Sequence, residues 1–407
     1  MSLTTDQPSP TSALRSAPFR WLLAGRTVNG LGGAIAPVAM AFAVLDLGGS
    51  ATELGLVVAS YALVDVVTTL FGGVVGDRVS RTALMRGCAV FAAAAQGVVA
   101  LSLVGAWASI WWLAAMNGLI GCLTALAGPS ARAVVQQTVE TTALPSAVST
   151  LRLSQNTAAV AGFSAAGLLA ATLGSGWAIA IDALTYLLAA GCYSLVRVRP
   201  LAPPARRSAL HDLRAGAVEV FRHTWLWVLI VQALIYHLVY GGAQGVLGPI
   251  VVSDTYGKDA WGWALGALMS GFIVGGVTTL RYRPRRLLLA GTGFLALTAC
   301  FPLAMGLQLP LAWILLGAFL HGFGLEIFSV NWDLSIQQNV APDKLARVFA
   351  FDQVGSFVMR PVGLAATGLV AELVGATDWL LIIAAVMLAS AAFATLPPSV
   401  RTLERRR

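Results

Sequence analysis

The residues best placed to do chemistry in this sequence are charged side chains within long apolar stretches. Asp65 lies near the middle of the stretch 53–75. Glu326 lies in 310–332, with His321 five residues before it and Asn331 five after. Arg360 is central in 348–371 and immediately precedes Pro361, and Arg26 lies toward one end of 20–45. A charge in hydrocarbon costs about 3 kcal/mol or more, so such groups face a cavity or a partner. A carboxyl taken out of water can bind and release a proton during a transport cycle. Asp65 is the deepest carboxylate and the first expectation for that role; Glu326 is the second. Arg360 needs a carboxylate or backbone carbonyls. Arg26 is close enough to an end to reach the interface along its stem. Asp65, Glu326, Arg360, Arg26 and Asn331 are therefore the expected coupling and substrate-cavity residues. Asp182 and Asp352, nearer the ends of their stretches, read as structural.

Other chemistries lack their residues. His211, His223, His237 and His321 do not cluster, and HExxH and GxSxG are absent. Cys88, Cys122, Cys192 and Cys300 sit in apolar runs without CxxC spacing and read as free thiols. No metal, cofactor or enzymatic activity is expected. No phosphate-binding GxxxxGK[ST] loop exists, and neither Lys258 nor Lys344 suits one, which argues against an ATP-driven pump. A non-transporting sensor or scaffold would need a signalling domain that the sequence does not display.

The elements holding these residues are membrane helices. The 407-residue chain is 57% hydrophobic and 11% charged, against about 25% charged in soluble domains. A soluble fold of this composition would expose large apolar patches. A span needs about 20 mostly apolar residues. Twelve runs qualify: 20–45, 53–75, 83–106, 110–131, 148–172, 176–196, 225–252, 260–280, 287–307, 310–332, 348–371 and 378–396. The polar first 17 residues, with Pro8 and Pro10, precede a run too long for a signal peptide, so the first span is retained.

All but three of the 26 basic residues then fall on the face carrying both termini; the exceptions are Lys258, Arg26 and Arg360. By the positive-inside rule that face is cytoplasmic. The arrangement also removes nucleic acid as the reason for the net charge of +8. Tryptophans such as Trp107, Trp111, Trp177 and Trp263 gather at span ends as an interfacial belt, while Tyr236, His237 and Tyr240 line either a cavity or a packing face. The polar stretch 197–224 divides the chain into a six-helix bundle over 1–196 and a second over 225–407 with a basic tail. Within the divider, Leu210, Leu213, Ala217, Val220 and Phe221 recur at helical spacing, predicting a short amphipathic helix on the inner surface. Gly72-Gly73-Val74 and Gly275-Gly276-Val277 precede equivalent basic loops in the two halves, as expected of paired repeats in alternating-access transporters.

Three segments resemble the major facilitator superfamily. Gly72-Gly73-Val74-Val75-Gly76-Asp77-Arg78-Val79-Ser80-Arg81 is similar to its signature loop G-x-x-x-D-R-x-x-R. Leu144–Leu169, with Gln155-Asn156 and Gly162, and the run from Asn331-Trp332-Asp333 through Arg360-Pro361-Val362-Gly363 resemble the branch of drug, macrolide and siderophore exporters. Together with topology the resemblance covers nearly the whole chain. It implies an all-α membrane fold of twelve helices in two six-helix bundles. It also implies a latch made by Gly72, Gly73, Gly76, Asp77, Arg78 and Arg81, closing the inner side. Independent physics supports the latch: Asp77 ends its helix where the dipole disfavours a carboxylate, so another partner must answer it. The sequence departs from the family at Ser80, where glycine is common, at Gly162-Phe163, where exporters carry Gly-Pro, and at Leu280, which matches Asp77 in the second half. Span four has no central arginine, and span one has Gly32-Gly33 where many relatives carry an acid. The expected function is proton-coupled efflux of a small amphipathic organic compound by a monomer in a bacterial plasma membrane, with protons and lipid as partners. Nutrient import on the same fold is the alternative.

Overall fold

The computed structural model describes residues 13–71, 80–198, 209–282, 284–341 and 344–404. Among them eleven helices are long and apolar enough to cross a membrane. Six segments form the first half: α1 (Ala17–Asp46), α2 (Ala51–Phe71), α3 (Arg81–Val104), α4 (Ile110–Ala133), α5 (Leu144–Thr172) and α6 (Ser175–Ser194). A shorter helix, α7 (Ala209–Phe221), follows. The second half comprises α8 (Thr224–Tyr256), α9 (Lys258–Arg281), α10 (Leu287–Gly306), α11 (Leu311–Asn339), α12 (Arg347–Val374) and α13 (Ala376–Ala394).

The twelfth expected span, α5, has length but not uniform apolarity. Its 29 residues reach about 43 Å at 1.5 Å per residue. Its polar side chains turn inward: Ser154 shares a 2.6 Å hydrogen bond with Thr27 of α1, and Gln155 accepts one from Arg26 at 3.4 Å. Neighbouring helices, rather than lipid, receive its polar stripe.

Within the first half α1 packs on α5 and α6, α3 on α4 and α6, and α2 on α4; in the second, α9 and α10 pack on α11, and α8 on α12 and α13. The halves meet along α2–α12 and α5–α9. Small residues allow both crossings, as is usual where lipid supplies no hydrophobic drive between helices. A Cβ at Gly55 would fall 2.6 Å from the Leu364 carbonyl oxygen, and one at Gly262 would fall 2.8 Å from that of Phe163.

Two interruptions shape the second half. α8 contains a π-helical turn over Ala243–Leu247. α12 is broken at Val358–Met359, with Pro361 in the first turn of its second part, where a missing N–H costs nothing. At the end bearing the termini, α7 lies against the start of α12: a Cβ at Gly216 has no room beside the Arg347 carbonyl. Glu219 there accepts a 2.8 Å bond from Lys344 Nζ.

Candidate functional site

A cavity of about 330 Å³ lies between the halves. Its walls come from Gly33, Pro37 and Met40 of α1, Tyr61 of α2, Gln96 of α3, Asn117 and Ile120 of α4, Phe163 of α5 and Tyr186 of α6. From the other half come Gln244 and Gly245 of the π turn, Trp261 and Leu265 of α9, and Arg360 and Leu364 of α12. The lining is mainly apolar, with amides and phenols placed singly, the pattern of a site for a small organic molecule. Trp261 is 1% exposed and stacks on Phe301 with centroids 5.9 Å apart, so it is a fixed wall. Asn117 Nδ2 donates to the Val57 carbonyl at 2.8 Å and holds α4 to α2.

Beyond this cavity the far end, away from the termini, is shut. Lys258 at the start of α9 pairs with Asp46 at the end of α1, and Ser175 Oγ donates to the same carboxylate at 3.3 Å. Thr52 N donates to Glu372 Oε1 at 3.2 Å, joining α2 to α12. Toward the end bearing the termini, α2 and α12 instead separate around a second pocket of about 200 Å³. Asp65 and Thr69 line one side and Gln353 and Phe357 the other. Tyr61 and Arg360 belong to the walls of both pockets. The break in α12 places Arg360 at this junction, and Gly241 of α8 leaves space for its stem.

Two twisted halves, paired helices at their interface and a central cavity closed at one end describe a known architecture. The Major Facilitator Superfamily family model matches residues 22–280. The chain belongs to the Major Facilitator Superfamily. This superfamily member is 23% identical over 389 residues to macrolide efflux protein A of Streptococcus pyogenes, covering 89% of this chain and 92% of that protein. It is 26% identical over 406 residues to the multidrug efflux pump Tap of Mycolicibacterium fortuitum, covering 96% and 98%. In fold it is similar to a solved variant of the nucleoside transporter NupG, with TM-score 0.76, 12% identity, and 93% and 98% of the two chains covered. An autoinhibited peptide transporter of the POT family is also similar in fold, with TM-score 0.73, 14% identity, and 96% and 98% covered.

Against the sequence expectations, this major facilitator brings Asp65 and Arg360 to one pocket and leaves the other three residues outside both. Glu326 lies on the α9–α11 interface, its Oε1 3.5 Å from where a Cβ on Gly276 would stand. The Gly275-Gly276 pair thus makes room for a carboxylate of the neighbouring helix. Asn331 is buried beside Gly291 and donates to the Ile327 carbonyl at 2.8 Å. Arg26 binds the Ala131 carbonyl at 2.8 Å and Gln155 at 3.4 Å, tying α1 to α4 and α5. Of the expected latch, Arg81 reaches the Ala133 carbonyl at 3.5 Å; Gly72, Gly73, Gly76, Asp77 and Arg78 lie outside the described residues.

Asp352 accepts from Trp332 Nε1 at 3.1 Å and Ser356 Oγ at 3.0 Å. Tyr236 and Tyr240 pack on His321, which meets Tyr236 Oη at 2.7 Å, and neither tyrosine lines either of these two pockets. The four cysteines are free, and no group of potential metal ligands forms among the described residues. The cavity residues missed at the sequence level, Gln96, Asn117 and Gln244, are uncharged. Their signal was an amide inside an otherwise apolar stretch, alone for Gln96 and Asn117 and with Gln232 for Gln244.

Proposed function

We propose that this transporter exports small amphipathic organic compounds in exchange for protons, with residues 1–196 and 225–407 as the bodies that rock about the cavity. The observation that carries the reading is the shared position of Arg360. It stands in the wall of the substrate-sized cavity and also in the wall of the Asp65 pocket. A cation between a substrate site and a carboxylate lets occupancy of one bias the other, as coupling requires. The apolar walls suit an amphipathic cargo. Similarity in sequence to proteins named for macrolide and multidrug efflux supports the outward direction. The excess of basic residues at the end bearing the termini supports a cytoplasmic position for that end. On that orientation the structure is closed to the outside, and the α2–α12 pocket is on the cytoplasmic side.

The test is expression in a host lacking its own exporters, challenged with a panel of toxic amphipathic compounds. Raised tolerance that collapses when the proton gradient is discharged is expected. Unchanged tolerance with gradient-driven accumulation of a nutrient would replace export by import.

A further inference from the structure

Asp182 of α6 has no solvent exposure, and its surroundings are specific. Gln96 Nε2 donates to Asp182 Oδ2 at 2.7 Å, and Thr185 Oγ1 lies 3.4 Å from Oδ1. The facing residue of α1 is Gly32; any Cβ there would overlap Asp182 and Thr185. Among the described residues no cation comes within ion-pairing distance of the carboxylate. Of the charged residues of α1, Arg26 is engaged with Ala131 and Gln155, Arg20 with the Leu14 carbonyl, and Asp46 with Lys258. Arg152 of α5 is exposed, and its carboxylate neighbours are Glu326 and Asp333 of α11. α3 offers Gln96 alone. The remaining titratable neighbours are the phenols of Tyr186, on its own helix, and Tyr61 of α2.

Gln96 joins this carboxylate to the cavity. It forms part of the cavity wall, is 2% exposed, and its Oε1 has no hydrogen-bond partner. A buried amide oxygen left unpaired costs about 1–3 kcal/mol, so a ligand that satisfies it gains affinity. The amide also has two settings. With Asp182 ionised, Nε2 donates to the carboxylate and Oε1 is left as a free acceptor beside the cavity. With a proton on Asp182 Oδ2, the carboxyl donates instead, the amide turns so that Oε1 accepts, and Nε2 becomes the free donor.

We propose that Asp182 is a proton-binding site of the central cavity and that the Gln96 amide converts its occupancy into a choice between acceptor and donor for the cargo. The proposal rests on the proton-coupled reading above and deepens it by adding a carboxyl distinct from Asp65. Asp182 stands behind the cavity wall, so the proton passes between Oδ2 and cavity water only as the Gln96 amide turns aside, with no other bond made or broken. The cargo class follows. A molecule with an apolar body and an N–H or O–H donor binds against Oε1 while Asp182 is ionised, and protonation expels it by replacing the acceptor with a donor.

The experiment is infrared titration of the purified protein without cargo, following the C=O stretch of protonated carboxyls. Wild type is expected to show a band that appears on acidification and persists in Asp65→Asn. It should be lost in Asp182→Asn and displaced in frequency in Gln96→Leu, which removes the amide partner. Persistence of the band in Asp182→Asn, or an unmoved band in Gln96→Leu, overturns the proposal. Gln96→Leu retains Asp182, so the displacement decides the matter even where Asp182→Asn does not fold. Failure of the exporter reading would show differently, as absent gradient-driven efflux with the band behaviour intact.

Discussion

At the scale of single residues, Asp65 and Arg360 share a pocket although almost 300 positions separate them. Asp65→Asn is expected to reduce pH-gradient-driven efflux from proteoliposomes to background while sparing downhill exchange; Glu326→Gln, at a helix interface away from both pockets, is expected to spare both. Wild-type accumulation by Asp65→Asn would remove that carboxylate from the cycle. Gly32 makes a different prediction. Its neighbours Asp182 and Thr185 leave no space for a methyl group, and forcing a methyl into a close-packed interior costs about 1–3 kcal/mol. Gly32→Ala should therefore lower thermal stability, whereas Gly33→Ala, which meets open space, should lower it little. The glycine pair was visible in the sequence as the place where related exporters carry an acid. What the sequence could not show is that α6 supplies a carboxylate to that same spot, because the contact depends on the rotation of two helices about their axes.

At the scale of elements, α7 behaves as a strut on α12. Glu219 accepts from Lys344, and Arg222 and His223 stand at 3.5 and 3.6 Å from its oxygens. The Lys344 ammonium, chiefly by its hydrogen bond, holds the Glu219 carboxyl below the usual carboxylate range. A carboxyl so lowered stabilises the docked strut fully above that range, and the contribution disappears as pH falls through the lowered value. Amide exchange in α7, corrected for intrinsic rates, should rise on acidification below the carboxylate range. Lys344→Met should raise it at neutral pH and blunt the acid response; an unchanged profile would mean that apolar contacts alone hold the strut. The far-end pair behaves as a clasp of modest strength. Lys258 and Asp46 are partly exposed, and such pairs contribute at most about 1 kcal/mol. Asp46→Asn should thus shift the population toward an outward-open form by no more than about fivefold, measured as distances between spin labels on the far-end loops.

At the scale of the whole molecule, most of the architecture was legible because membrane helices announce themselves by length and apolarity. Within the described residues every expected stretch coincides with a helix, and the amphipathic segment became α7. The exceptions have physical causes. α5 carries its polar residues toward α1, so average hydropathy understates it. The π turn of α8 runs directly into Gly248-Pro249 and the break in α12 directly precedes Arg360-Pro361, so proline marks both interruptions in the sequence without giving their geometry. Arg26, Glu326 and Asn331 share Asp65's rarity in apolar sequence, yet depth alone cannot distinguish a helix–helix tie from a cavity wall. Orientation is open to direct test: in a cysteine-free background an impermeant thiol reagent should label position 255 from outside and spare position 208. The proposed latch adds that Asp77→Asn should impair transport at unchanged membrane abundance; unimpaired transport would reduce the loop to an orientation signal.

The polar stripe of α5 also constrains how the chain is made. A helix that hides Ser154 and Gln155 against α1 is a poor substrate for insertion by itself, because each polar side chain at the centre of an isolated helix adds to the cost of leaving the translocon for lipid. α1 emerges from the ribosome first and must remain near the exit until α5 arrives, so that the two leave together. Glycosylation mapping of truncated chains ending after α5 should find it inserted when α1 is present and largely untranslocated into lipid when α1 is replaced by an inert leucine helix. For this segment, the order of synthesis and the pattern of packing are one constraint.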